Sequence, residues 1–199
     1  MLELEHGFRV VDSHAHLDHD EVAVTTYGRD TGPDQLEREC HQAGIVRAAV
    51  SPSPHAEAKG YLRANNAVAR LSVDRPFLAF ARLNGALDAT GGPVATMRNM
   101  RATRENYHSR PGDIEQYAYD NRFHGFVLDP AVDGLPDDEV LDELASVDLP
   151  VFVDCRAEFP PQAAEQTLLG QGFPVILSGF GGYPMDRDRM RQSLDLLDA

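Results

Sequence analysis

This chain of 199 residues has no tryptophan, two cysteines (Cys40 and Cys155) and one lysine, Lys59. Two thiols so far apart in sequence imply no disulfide framework. No apolar run approaches the length of a membrane span, and Met1-Leu2-Glu3-Leu4-Glu5 is acidic where a secretion signal is basic. A soluble cytoplasmic protein is therefore expected. Positive charge is scarce: 18 basic residues stand against 32 acidic ones, a net charge of -14. Such a surface repels nucleic acid and anionic membranes, so the expected partner is a small molecule. Acid-rich, lysine-poor surfaces suit concentrated salt, which at 1 M screens charge within about 3 Å. A host with molar salt in its cytoplasm is expected.

With 42% hydrophobic residues, the chain is globular in composition and long enough for one domain with a core, taken as residues 1–199. Apolar runs recur at Phe8–Asp12, Val46–Ser51, Phe77–Leu83, Phe123–Leu128, Pro150–Val153 and Phe173–Leu177. Most are apolar on both faces, as in a parallel sheet covered by helices. Helical patterns lie between them. One runs from Asp34, behind Pro33, to a stop at Gly44, and a second from Ala56 to Leu71. Others cover Pro136–Ala145, Pro160–Leu169 and Pro184–Leu197. The longest connection, Asn84–Arg122, holds a helix over Val94–Asn106 and a shorter one over Ile114–Tyr119. These strand-then-helix units predict an α/β fold of about six parallel strands, doubly wound or barrel-like.

In both architectures ligands bind at the carboxyl ends of the strands. Those ends carry His14, His16 and Asp18, then Ser51, Arg82 and Asn84, then Asp129, Asp154, Cys155, Arg156, Ser178 and Gly179. The sharpest signal is His14-Ala15-His16. On an extended segment residues i and i+2 share a face, so two imidazoles can converge on one ion, and imidazole is a common zinc ligand. A polar strand end with no ion is the plain alternative. Asp154 closes an apolar strand and reads either as a metal donor or as a cap. Asp129, held extended by Pro130, lines a pocket or simply terminates its strand. Arg156 forks onto a substrate carboxylate or pairs with one of the many acids. Cys155 reads as a small buried filler, and His124 as a packing residue.

Four stretches together carry a resemblance: Val11-Asp12-Ser13-His14-Ala15-His16-Leu17, His124-Gly125-Phe126-Val127-Leu128-Asp129-Pro130, Leu149-Pro150-Val151-Phe152-Val153 and Phe173–Pro184. In their order and spacing the chain resembles the amidohydrolase superfamily of metal-dependent hydrolases, in the branch that also contains non-oxidative decarboxylases. That resemblance implies a (β/α) barrel whose first-strand His-x-His pair, here His14 and His16, binds a divalent metal. It implies hydrolysis of a small amide, ester or lactone by a metal-activated water with a pKa of about 7. Zinc is the implied ion, with manganese or iron fitting the same donors. Asp154 is expected to complete the metal site or act as base, and Asp129, Arg156 and Asp18 to bind substrate.

The chain also departs from that family. Where the family usually places a histidine at the end of the fifth strand and another at the sixth, this sequence has Asp154 and Gly179. No seventh or eighth strand follows to supply the family's terminal aspartate. The only lysine, Lys59, falls in a region expected to be helical and not at a strand end, so a lysine-bridged binuclear centre is excluded and any centre is mononuclear. A closed barrel takes about 250 residues, so the expected fold is TIM-barrel-like but incomplete. Its open sheet edges imply either a homo-oligomer that covers them or a longer parent. Two further readings stand beside the hydrolase: a degenerate, non-catalytic relative that keeps the scaffold for ligand binding, and a decarboxylase of the same superfamily.

Overall fold

A computed structural model describes residues 9–19, 31–54, 60–178 and 186–196. They form two compact units, one drawn from Met1–Ser53 and Leu62–Phe80, the other from Pro54–Tyr61 and Ala81–Ala199. Among the described residues no helix is long and apolar enough to cross a membrane.

The first unit holds β1 (Val10–His16), α1 (Pro33–Gln42), β2 (Ile45–Ser51), α2 (Leu62–Ser72) and β3 (Phe77–Ala79). Its strands are parallel in the order β1-β2-β3, with His16 opposite Ser51 and Val50 opposite Ala79. Ala48, Val50, Val68, Phe77 and Ala79 form its core. Proline at the first turn starts α1 and Asp34 favours its N-terminus, while Gly44, at φ +71, lets the chain turn into β2. The first strand runs further than expected, so both histidines lie within it. Its residues Val11 and Ser13 are exposed, and among the described residues it pairs only with β2. The helix expected from Ala56 begins instead at Leu62, because Gly60 sits at φ +118; residues 56–59 of that expectation lie outside the described residues.

The second unit holds β4 (Ala81–Arg82), α3 (Gly92–Asn99), α4 (Pro111–Ala118), β5 (Phe126–Leu128), α5 (Pro130–Asp133), α6 (Asp138–Val147), β6 (Val151–Asp154), α7 (Pro161–Thr167), β7 (Val175–Ser178) and α8 (Arg187–Asp195). The strands are parallel in the order β4-β5-β6-β7. Phe126, Leu128, Leu144, Val151, Val153 and Phe159 fill the core beneath them. The run Phe77–Leu83 is two short strands, since the ladder breaks at Phe80. Helix α3 stops at Asn99, not Asn106, because the Asn99 side chain folds back to accept from the Asp88 N–H (2.7 Å) and donate to its carbonyl (3.0 Å). The run Phe123–Leu128 is strand only from Phe126. Phe123 packs edge-on against Tyr117 with ring centres 5.0 Å apart, and His124 is exposed instead of packed. Strand β7 pairs only with β6 among the described residues and exposes Ile176.

Candidate functional site

Charged side chains gather at the carboxyl ends of β4, β5 and β6. Arg82, the last residue of β4, and Asp129, just past β5, are both fully buried. Arg82 donates to Asp133 from Nε (2.8 Å) and Nη2 (2.7 Å), and its Nη2 reaches Asp129 at 3.3 Å. Asp129 in turn accepts from Arg156 at both oxygens, from Nε (3.1 Å) and Nη2 (2.7 Å). The Tyr61 hydroxyl donates to Asp133 (2.6 Å), and the Arg82 guanidinium lies 5.4 Å from the Tyr61 ring centre. The result is an alternating row: tyrosine, carboxylate, guanidinium, carboxylate, guanidinium. Arg156 is its outer end, with 34% of its side chain exposed.

Local backbone geometry builds this row. Pro130 opens the short helix α5, so Asp129 and Asp133 fall four residues apart on one face. Gly134, at φ +73, then lets the chain turn back, and a Cβ at Gly85 would lie 1.8 Å from the Leu135 carbonyl. That glycine contact admits the Leu87–Leu135 bridge and holds the Asp133 turn against the segment after β4. Burial would lower the Arg82 pKa, but Asp133, Tyr61 and Asp129 outweigh it and hold the guanidinium charged. Burial pushes the Asp133 carboxyl above its ordinary value, against the pull of Arg82 and Tyr61.

Asp154 ends β6 opposite Ser178 of β7 and accepts a hydrogen bond from the Ser178 hydroxyl. Cys155 beside it is buried, and burial, with Asp154 adding to it, pushes the thiol up to about 12. A thiol of that acidity is no nucleophile at neutral pH. Asn84, past β4, is a tie: its Oδ1 accepts from the Ser109 N–H (2.9 Å) and its Nδ2 donates to the Tyr107 carbonyl (3.2 Å).

In the first unit, the His14 and His16 rings lie 5.3 Å apart, centre to centre, at 79°. Two imidazoles on one tetrahedral zinc, each with its nitrogen about 2.0–2.1 Å from the ion, have ring centres about 5 Å apart. The ring-centre separation of the pair matches that of two ligands on such an ion. Among the described residues no group of three His, Cys, Asp or Glu side chains is placed to hold a metal. Asp154 belongs to the other unit, and its role as a ligand rests on strand order alone. Asp18, expected to meet substrate, is buried and accepts from the Ser53 N–H (3.1 Å) and the Thr31 hydroxyl (2.8 Å). It ties the loop after β1 to the end of β2. An open groove lined by Glu37, Cys40, His41, Ile45 and Pro76 lies at the amino ends of β2 and β3, away from the chemistry-bearing ends.

Asp133 and Tyr61 were not legible as site residues. The signal that points to Asp133 is its four-residue spacing from Asp129 behind a helix-opening proline; nothing in the sequence points to Tyr61. No protein-family profile and no curated protein matches this chain. Among solved structures it is similar to the crystal structure of a probable 2-pyrone-4,6-dicarboxylic acid hydrolase from Acinetobacter baumannii with citric acid bound. The TM-score is 0.56 at 13% identity, over 95% of this chain and 66% of that one. A likeness at that identity shows the fold: parallel strands and helices in the TIM-barrel-like α/β arrangement, in an incomplete form.

Proposed function

We propose that this chain is a hydrolase of a small, carboxylate-bearing ester, lactone or amide, with Arg156 receiving the carboxylate. The observation that carries this reading is the side-on pair between Arg156 and the buried Asp129, itself braced by Arg82. A guanidinium held by two bonds from Nε and Nη2 is fixed in direction before any ligand arrives, so little ordering is lost on binding. In a protein of net charge -14, this partly exposed cation at a strand end offers an anion a point of attraction. The similarity to a probable dicarboxylic acid hydrolase that holds citric acid supports the same ligand class.

Asp129 is not the base in this reading, because both of its oxygens hold guanidinium groups. His14 and His16 are proposed to hold one divalent ion, zinc before manganese or iron, with Asp154 the third donor or the base. When bound, such an ion supplies a water acidic enough to react at neutral pH. A second reading, a binding scaffold without turnover, is favoured by the absence of a three-donor cluster among the described residues.

Elemental analysis of the purified chain tests the metal assignment: one equivalent is expected, lost in His14→Ala, His16→Ala and Asp154→Asn. A wild-type chain that binds no divalent ion after loading refutes it. A citrate-induced rise in melting temperature is expected in the wild type and not in Arg156→Ala. An unchanged rise in that variant refutes the carboxylate assignment.

A further inference from the structure

We propose that the Ser51 and Ser53 hydroxyls form a donor pair for an uncharged oxygen of the ligand, a carbonyl or a hydroxyl. The inference deepens the small-molecule hydrolase reading by adding a specificity element in the first unit. Ser51 is the last residue of β2 and lies directly opposite His16 in the parallel ladder. Residues directly opposite one another share a sheet face, so Ser51 stands beside the histidine pair. Ser53 follows two residues later, its N–H donating to Asp18.

Both serines are shut off from bulk solvent, at 1% and 0% exposure. Among the described residues neither hydroxyl oxygen has a hydrogen-bond partner. A buried hydroxyl left unmatched destabilises a fold, and such groups are rare unless something outside the chain matches them. Among the described residues the Ser193 hydroxyl is also unmatched, but it sits on α8, whereas Ser51 ends β2 and Ser53 follows two residues later, at the strand end where this architecture presents its chemistry.

The charge of the surroundings selects the ligand group. The Asp18 carboxylate is bonded to the backbone of Ser53 itself, so a second carboxylate in the same place meets repulsion. A carbonyl or hydroxyl oxygen accepts from serine without that conflict. The pair therefore reads a neutral oxygen of the ligand.

Isothermal titration with citrate and with tricarballylate, which is citrate without its hydroxyl, tests this. The wild type is expected to prefer citrate by about fivefold, the worth of one hydrogen bond. Ser51→Ala and Ser53→Ala are expected to lose that preference while binding tricarballylate as the wild type does. Without ligand, both variants are expected to melt at the same or a higher temperature, since each removes an unmatched buried hydroxyl. A preference that survives both substitutions overturns the proposal, as does a wild type that does not distinguish the two acids. Unliganded variants that melt several degrees lower also overturn it, because the hydroxyls would then have partners within the protein. Arg156→Ala separates this from the carboxylate assignment. If it binds both acids as the wild type does, that assignment fails, while a serine-dependent preference stands by itself.

Discussion

Replacing Arg82 by leucine removes the cation between two acids. Arg82 is fully buried and holds Asp133 at 2.7 Å and Asp129 at 3.3 Å. Asp129 keeps Arg156, but Asp133 is left with the Tyr61 hydroxyl as its partner in this row. Breaking a buried ion pair by deleting one member costs about 3–5 kcal/mol. For a chain of this length, each kcal/mol moves the melting temperature by about 2–4 °C, so a fall on the order of 10 °C is expected at pH 7. The pH dependence carries a definite sign. Burial already raises the Asp133 pKa, and losing Arg82 raises it further. A carboxyl raised in the folded state costs stability above its folded pKa, and the cost disappears below the unfolded value of about 3.9. The deficit of Arg82→Leu should therefore narrow as pH falls from 7 toward 4. Adding Asp133→Leu to Arg82→Leu removes the stranded charge and should recover most of the loss at pH 7. Urea unfolding followed by circular dichroism at fixed ionic strength reads all three quantities. A single variant that loses less than about 1 kcal/mol, or a double variant no more stable than the single, refutes the account of this row as a coupled buried network.

Two further outcomes are expected. Neither Cys40 nor Cys155 should react with a thiol reagent at pH 8 in the folded protein, since burial raises both thiols, and both should react in denaturant; a fast native reaction contradicts the buried placement. The melting temperature should rise by several degrees between 10 mM and 1 M KCl, as the screening length falls from about 30 Å to about 3 Å; a salt-independent melt counts against a surface adapted to high salt.

The strands were legible because short runs such as Val151-Phe152-Val153 are apolar on both faces, and burial on both faces is what a covered parallel strand requires. Boundaries were less so. His14 and His16 read as a strand end and β1 does end at His16, but it runs four residues past the apolar run that closes at Asp12, because polar residues carry no apolar signal to mark a strand's extent. The end of α3 depends on a side-chain bond between Asn99 and Asp88, eleven residues apart, which no periodicity encodes. The same holds for the charged row. Asp129 and Arg156 announce themselves by following apolar strands, but their pairing with each other across 27 positions leaves no local pattern. Tyr61 meets Asp133 across 72 positions of sequence, through a glycine turn and a tight backbone approach, and neither leaves a local pattern.

The outer flanks of β1 and β7 each present main-chain donors and acceptors with no neighbouring strand among the described residues, and neither strand contains a lysine or a proline to guard it. The net charge of -14 on each molecule opposes pairing of two such edges. Brine that calms repulsion inside one molecule also quiets it between molecules. Salt that screens charge within one molecule is thus also the condition in which crowding more readily turns a solution into assemblies.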